Sequence, residues 1–163
     1  MNLNIQRIIF AILSILTFIT IFMFSNQNGN KSGNTSRNFT RKVIEILQID
    51  KHLEEDKVEN LIEKSQFLIR KLAHFTIYTI AGINMMGFIN TFDIEEKNKI
   101  KGVLLIGALY AISDEFHQMF SGDRTPAIKD VFIDSLGVLF GILIFLGIYR
   151  LKNKIRTKDN INS

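Results

Sequence analysis

Four long apolar blocks, separated by most of the charged residues, constrain this sequence more than any other feature. The blocks cover residues 8–24, 67–89, 102–120 and 128–149. Each approaches the roughly 20 mostly apolar residues that a helix needs to cross a bilayer. Helices suit such segments because a helix satisfies its own backbone hydrogen bonds in lipid. The sequence therefore predicts an all-α fold, a four-helix transmembrane bundle formed by a single domain of 163 residues.

The first block also has features of a secretory signal peptide, because Arg7 precedes an uncharged apolar run. The run is longer than the roughly 7–15 residues of a typical signal core. It is followed by the polar residues Ser25 and Asn26, where a cleavage site would have small apolar residues. We therefore predict an uncleaved first span, with a cleaved signal as the alternative.

The longest connection, residues 25–66, separates the first two spans. Residues 26–36 are rich in Asn, Gly and Ser, which is typical of a loop. The rest has helical periodicity and predicts an amphipathic helical segment that lies on the membrane or over the bundle. A small solvated cap is the alternative. The apolar residues that share its two faces are Phe39, Val43, Ile46 and Leu47, then Val58, Leu61 and Ile62.

The distribution of basic residues predicts the orientation. The net charge is +4, and Lys and Arg are denser on the side that carries Arg7, residues 97–101 and the tail, residues 150–163, than on the other side. Basic short loops stay in the cytoplasm, so we predict a cell-membrane protein with both termini and a basic tail inside. Residues 25–66 and 121–127 then face outward. Juxtamembrane positions explain the basic excess better than nucleic-acid binding does, and the absence of Cys excludes a disulfide framework.

Charged and histidine side chains recur near one end of three predicted spans. The antiparallel order of the spans brings these ends to one membrane face. Helical spacing predicts one stripe of residues on each of these spans. The three stripes are Arg70, His74 and Tyr78, then Tyr110, Asp114, His117 and Gln118, and finally Asp130, Asp134, Gly137 and Gly141. Charges inside a bilayer are costly unless they are paired or hydrated, so we expect the stripes to face each other around an outer-face polar cavity. Its predicted residues are Arg70, Lys71, His74, Tyr78, Tyr110, Asp114, Glu115, His117, Gln118, Arg124, Asp130 and Asp134.

Each of these groups also has an ordinary structural explanation. Arg70 and Lys71 can extend to the interface, and Asp130 suits a helix N-terminus. Gly137 and Gly141 form a G-x-x-x-G pattern, which is more typical of helix packing than of chemistry. The functional interpretation is favoured because so many costly placements coincide at one depth.

Several stretches of this sequence resemble one known family. They are Phe24-Ser25-Asn26-Gln27, Arg70-Lys71-Leu72-Ala73-His74-Phe75 with Tyr78, and Tyr110-Ala111-Ile112-Ser113-Asp114-Glu115-Phe116-His117-Gln118-Met119-Phe120, followed by Arg124, Asp130, Asp134 and Gly137. The chain resembles the VanZ-like membrane proteins, named for a factor that accompanies glycopeptide resistance and raises teicoplanin tolerance. The resemblance implies a role in the cell envelope and in antibiotic resistance, but it supplies no reaction.

Two classes of function fit the predicted cavity best. In the first, Arg70, Lys71 and Arg124 bind the phosphate or carboxylate of a membrane lipid, a lipid-linked cell-wall precursor or a lipoglycopeptide, because Arg makes bidentate contacts to such groups. The other ligand-binding residues would be His74, Tyr78, Tyr110, Gln118 and Asp130.

In the second class the protein is a hydrolase or transferase. His117 would act as the general acid or base, with Asp114, Glu115 and Asp134 as its catalytic partners. A metal held by the histidines and carboxylates is a further version, but Arg70 and Lys71 would repel a cation, so no metal is predicted and no cofactor is identified. A small proton-coupled transporter and a partner-binding bundle remain alternatives, and Gly137 and Gly141 would permit an oligomer contact.

Overall fold

The computed structural model describes residues 2–25, 29–48, 54–120 and 128–162, and these form five helices. There is no strand in this part of the chain, so the predicted all-α class is confirmed. The helices are α1 (Leu3–Ser25), α2 (Gly29–Ile46), α3 (Glu55–Ile89), α4 (Glu96–Phe120) and α5 (Ile128–Asn162).

Three helices are long and apolar enough to cross a membrane, namely α1, α3 and α5. They correspond to three of the four predicted spans. The helix α4 is not among them. It carries charged residues at its start, including Glu96 and Lys97, and again at Asp114 and Glu115. Its helical structure is confirmed, and its passage through the membrane remains a prediction.

Two spanning helices extend well beyond the predicted apolar blocks. The helix α3 starts at Glu55, twelve residues before the predicted start at residue 67, and α5 continues to Asn162 through the predicted basic tail. Neither extension contains a Gly or Pro that would end a helix. In addition, Glu55 and Asp56 place acidic groups in the first turn of α3, where the helix dipole favours them.

The prediction of a loop at residues 26–36 is wrong from Gly29 onward, because α2 already begins there. Packing against α3 explains why a helix forms despite the low helix propensity of Asn and Gly. Arg37 and Arg41 both form ion pairs with Glu59 of α3, and Ile44 is buried. Residues 26–28 lie outside the described part of the chain.

Close backbone contact holds α3 and α5 together. A Cβ atom at Gly141 would lie 2.1 Å from the Thr79 carbonyl oxygen, one at Gly137 2.7 Å from that of Phe75, and one at Gly82 2.3 Å from that of Val138. These positions therefore accept no larger residue without movement of the backbone. The packing interpretation of Gly137 and Gly141 is confirmed, and the contact is within one chain.

The contacts also fix the helix directions. Because α5 residues of increasing number meet α3 residues of increasing number, these two helices run parallel. The helix α1 runs antiparallel to α3, since Arg7 lies beside Thr91 and Thr17 beside Asn84. The helix α4 pairs with α1 in parallel through Tyr110, whose hydroxyl donates a 2.7 Å hydrogen bond to the Phe18 carbonyl.

This arrangement gives the bundle two distinct ends. We call the end that contains Ser25, His74, Asp114 and Asp134 the site end. The end that contains Arg7, Thr91, Glu96 and Arg150 is called the opposite end.

Candidate functional site

One ion pair and one close approach of a histidine to a carboxylate connect α3 to α5 at the site end. Lys71 Nζ pairs with Asp130 Oδ1, and both side chains are partly exposed. One turn deeper, His74 Nδ1 lies 3.7 Å from Asp134 Oδ2. The parallel direction of α3 and α5 accounts for this ladder, because residues three or four apart on each helix lie on one face.

The helix α4 adds a second carboxylate to the deeper pair. Donor atoms of His74, Asp114 and Asp134 all lie within 4.8 Å of one another, and Gln118 Nε2 donates a 3.1 Å hydrogen bond to Asp114 Oδ2. We call His74, Asp114 and Asp134 the three-residue cluster. It brings together one residue from each of the three predicted polar stripes.

The two aspartates of the three-residue cluster are almost closed to solvent, whereas the His74 side chain is partly exposed. The exposed fraction is 5% for Asp114 and 1% for Asp134. Asp134 Oδ2 and the hydroxyl of the fully buried Tyr78 have no hydrogen-bond partner among the described residues. Tyr78 lies one helical turn after His74 on the same face of α3, so it belongs to the same end of the bundle. Buried polar groups without partners cost free energy.

The remaining predicted residues of α4 are placed differently. The Tyr110 hydroxyl donates its hydrogen bond to the backbone of α1, so this side chain connects α4 to α1. The ring of His117 stacks on Phe22 of α1, with 4.7 Å between the ring centroids. Glu115 and Gln118 are buried in the same turns. The structure therefore places His74, rather than the predicted general base His117, in the three-residue cluster.

An apolar cavity of about 570 Å³ opens beside the cluster, between the end of α1, α2 and the middle of α3. We call it the lipid-facing groove. His74 belongs both to this groove and to the three-residue cluster. The lining residues are Ile21, Phe24, Thr35, Phe39, Ile69, Arg70, Leu72, Ala73, His74, Thr76, Ile77 and Ile80.

Arg70 is the one permanent cation in that lining. Among the residues that the structure describes, no carboxylate forms an ion pair with it. Lys71, its neighbour, points to Asp130 instead. An unpaired guanidinium between apolar side chains is unfavourable unless an anion joins it. Arg124, the third predicted cation, lies outside the described residues.

A family model described as VanZ/LLP1 matches residues 10–150, which is most of the chain. The chain belongs to the VanZ/LLP1 family. The match includes the whole three-residue cluster, Arg70 and all three membrane-spanning candidates in large part. No curated protein and no solved structure matches this VanZ/LLP1 chain.

Sequence reasoning alone missed two parts of this VanZ/LLP1 site. Ser25, at the end of α1, is buried beside Asp114; the opening motif Phe24-Ser25 was the signal that could have found it. The apolar walls of the lipid-facing groove were also missed. Residues such as Ile69 and Ile80 are indistinguishable in sequence from ordinary lipid-facing residues, because only the position of α2 turns their surface into a cavity.

Proposed function

We propose that this protein binds an anionic lipid-linked or lipidated ligand in the lipid-facing groove, and acts through it on the cell envelope and on tolerance to teicoplanin-type glycopeptides. The observation that carries the proposal is Arg70, which lines a mostly apolar cavity and forms no ion pair with any residue that the structure describes. A ligand with a hydrocarbon chain and a phosphate or carboxylate group complements both features. Guanidinium groups bind such anions with two parallel hydrogen bonds.

The dimensions of the groove support a lipid chain as its occupant. Ligand cavities usually have volumes of about 300–1,000 Å³ with mostly apolar walls and a few polar groups that fix orientation. The groove has about 570 Å³, and its polar side chains other than Arg70 and His74 are two threonines. One of them, Thr76, already donates its hydroxyl to the Leu72 carbonyl at 2.7 Å. Arg70 and His74 therefore remain as the groups that would fix a headgroup.

A topology with four membrane crossings, including α4, forms part of this proposal. The membrane-spanning candidates α3 and α5 run in the same direction, so the chain must return between them. The 25 residues of α4 correspond to about 37 Å at about 1.5 Å per residue, which is long enough for the return. Packing of α4 on α3 and α5 removes its polar stripe from lipid.

The orientation in this proposal places the site end outside the cell. Arg7, Lys97, Lys99, Lys101 and Arg150 all belong to the opposite end or its connection. A surplus of Lys and Arg in short segments marks the cytoplasmic side. The lipid-facing groove then meets the outer leaflet, where a lipoglycopeptide with a lipid tail or a lipid-linked cell-wall precursor is accessible.

The binding test uses the full chain in nanodiscs, with a polyprenyl monophosphate as probe and the uncharged polyprenol of the same length as matched ligand. Arg70→Ala should weaken phosphate binding by about tenfold or more, because hydrogen bonds to charged groups contribute about 1.5–3 kcal/mol. Arg156→Ala, at an exposed position of α5, is the matched control. Equal affinity of wild type for phosphate and polyprenol, or unchanged affinity in Arg70→Ala, would remove the proposal.

A second test measures growth of cells that produce the protein in the presence of teicoplanin. Wild type and Arg156→Ala should raise tolerance, while Arg70→Ala at equal protein level should not. Tolerance in the Arg70→Ala strain equal to wild type would show that ligand binding at Arg70 does not serve this role.

A second candidate is a membrane-embedded hydrolase or transferase. The pairing of His74 with Asp134 beside the groove favours it, because a carboxylate that orients an imidazole is a common general-base arrangement. Release of phosphate from a polyprenyl diphosphate in the binding assay, lost in His74→Gln, would favour catalysis over binding. A transport path has less support, since the buried polar groups of the site collect at one end of the bundle.

A further inference from the structure

We propose that His74, Asp114 and Asp134 bind one divalent cation of the zinc or manganese type. The ion would lie beside the lipid-facing groove, because His74 belongs to both the groove and the three-residue cluster. This part of the proposal concerns the cation alone and does not depend on any lipid ligand.

The spacing of the donor atoms is close to that around a shared metal ion, so small side-chain movements would allow all three to bind it. Two ligands bound to one ion at about 2.0–2.2 Å in tetrahedral geometry lie roughly 3.4 Å apart. His74 Nδ1 and Asp134 Oδ2 are 3.7 Å apart, too far for a hydrogen bond, and all three donor atoms lie within 4.8 Å of one another. One imidazole nitrogen and two carboxylate oxygens form a donor set that suits zinc and manganese.

Burial gives a second and independent reason. The carboxylates of Asp114 and Asp134 are 95% and 99% removed from solvent, as their exposed fractions of 5% and 1% show. Buried carboxylates are stable when they are paired or coordinate metals. Asp134 Oδ2 has no hydrogen-bond partner among the described residues, and 3.7 Å separates it from the nearest imidazole nitrogen. A cation at this position would satisfy the carboxylate oxygen of Asp134.

Tyr78 supplies a further polar atom that points to a ligand. Its side chain is fully buried and its hydroxyl has no hydrogen-bond partner in the described part of the chain. Tyr78 follows His74 by one helical turn on the same face of α3. A water molecule bound to the proposed cation would be a suitable partner, since three protein ligands leave a position open for water or substrate.

The nearby cations argue against a metal when the sequence is considered alone. In the structure, both make contacts outside the three-residue cluster. Lys71 forms its ion pair with Asp130, so its charge is offset one turn away from the cluster. Arg70 belongs to the lining of the groove. The nearest hydrogen bond to Asp114 comes from the neutral Gln118. The carboxylates of the cluster are thus available to a divalent ion.

A consequence follows for the proposed ligand, and it rests on the proposed function. A phosphate held by Arg70 in the groove would approach the cation on the side of His74. The ion would then serve as a second positive contact for the anionic group.

The test uses the full-length protein in nanodiscs, stripped with EDTA and titrated with Mn²⁺ under electron paramagnetic resonance. Wild type should bind one equivalent of Mn²⁺. Asp134→Asn should bind it about 100-fold more weakly or not at all, because even the loss of an outer-sphere partner lowers metal affinity about 10–100-fold. Asp93→Asn, which changes an exposed acid in the connection between α3 and α4, is the matched control and should bind as wild type does.

A measurement on wild type alone keeps the proposal testable if the variant fails to fold. Electron spin echo modulation of bound Mn²⁺ should show coupling to one histidine nitrogen. Absence of Mn²⁺ and Zn²⁺ binding, absence of the nitrogen coupling, or equal affinity in a folded Asp134→Asn would each overturn the cation site.

The outcome also separates this inference from the proposed function. Mn²⁺ binding without preference for polyprenyl monophosphate would support the cation site and contradict the lipid ligand. Phosphate binding by Arg70 in protein that takes up no metal would support the lipid ligand and contradict the cation site.

Discussion

The two ends of the bundle treat charge in opposite ways. At the opposite end, Arg7 donates to the hydroxyl and carbonyl oxygens of Thr91 at 3.2 and 3.0 Å and lies over the Phe92 ring, and Arg150 pairs with the exposed Glu96. At the site end, Asp114 and Asp134 are buried, and Asp134 Oδ2 has no hydrogen-bond partner among the described residues. The comparison indicates that charge at the opposite end supports the fold, and it agrees with our proposal that charge at the site end serves a ligand.

The largest effect is expected at the contact of α3 with α5, which lies between the two ends and involves no charged residue. In Gly141→Ala the new methyl group would meet the Thr79 carbonyl oxygen at 2.1 Å. We expect a loss of ~3 kcal/mol in the free energy of unfolding, as for other overpacked contacts. Thermal unfolding and size-exclusion chromatography in detergent measure it.

Gly147→Ala is the matched control, because nothing lies within 4 Å of the added atom. It should be neutral or stabilising by up to about 1 kcal/mol through helix propensity. Equal stability of the two variants would show that α3 and α5 do not meet as described.

Removal of charge at the opposite end should have a smaller effect. Arg7→Ala deletes two hydrogen bonds and a contact with Phe92 at 4.1 Å. We expect a destabilisation of ~1–2 kcal/mol, measured by the same unfolding assay. Arg156→Ala serves as the control, since Arg156 is exposed. Equal free energies of unfolding for the two arginine variants would contradict the claim that charge at the opposite end supports the fold.

The sequence predicted which segments are helical and which residues lie at the site. It predicted less well where the helices begin and end and how they pack. Apolar length predicted α1, α3 and α5, but it gave no reason to extend α3 to Glu55 or to begin α2 at Gly29, because tertiary contacts such as Arg37–Glu59 decide those boundaries.

For the site, spacing on separate helices predicted that three stripes converge, and His74, Asp114 and Asp134 do. Spacing did not predict which histidine joins the carboxylates. His74 and His117 are equivalent in pattern, and the rotation of α4 that stacks His117 on Phe22 depends on packing. The groove beside His74 depends on the position of α2, so helical periodicity in the sequence did not predict it either.

The most direct test of the central claim compares the stability of metal-free wild type and metal-free Asp134→Asn by chemical unfolding in detergent. A buried carboxylate oxygen without a hydrogen-bond partner costs free energy, and Asp134 Oδ2 has none among the described residues, so we predict that the variant is at least as stable as wild type while Mn²⁺ binding is lost. The contradicting result is a variant destabilised as much as Arg7→Ala, which would make Asp134 a structural residue like those of the opposite end.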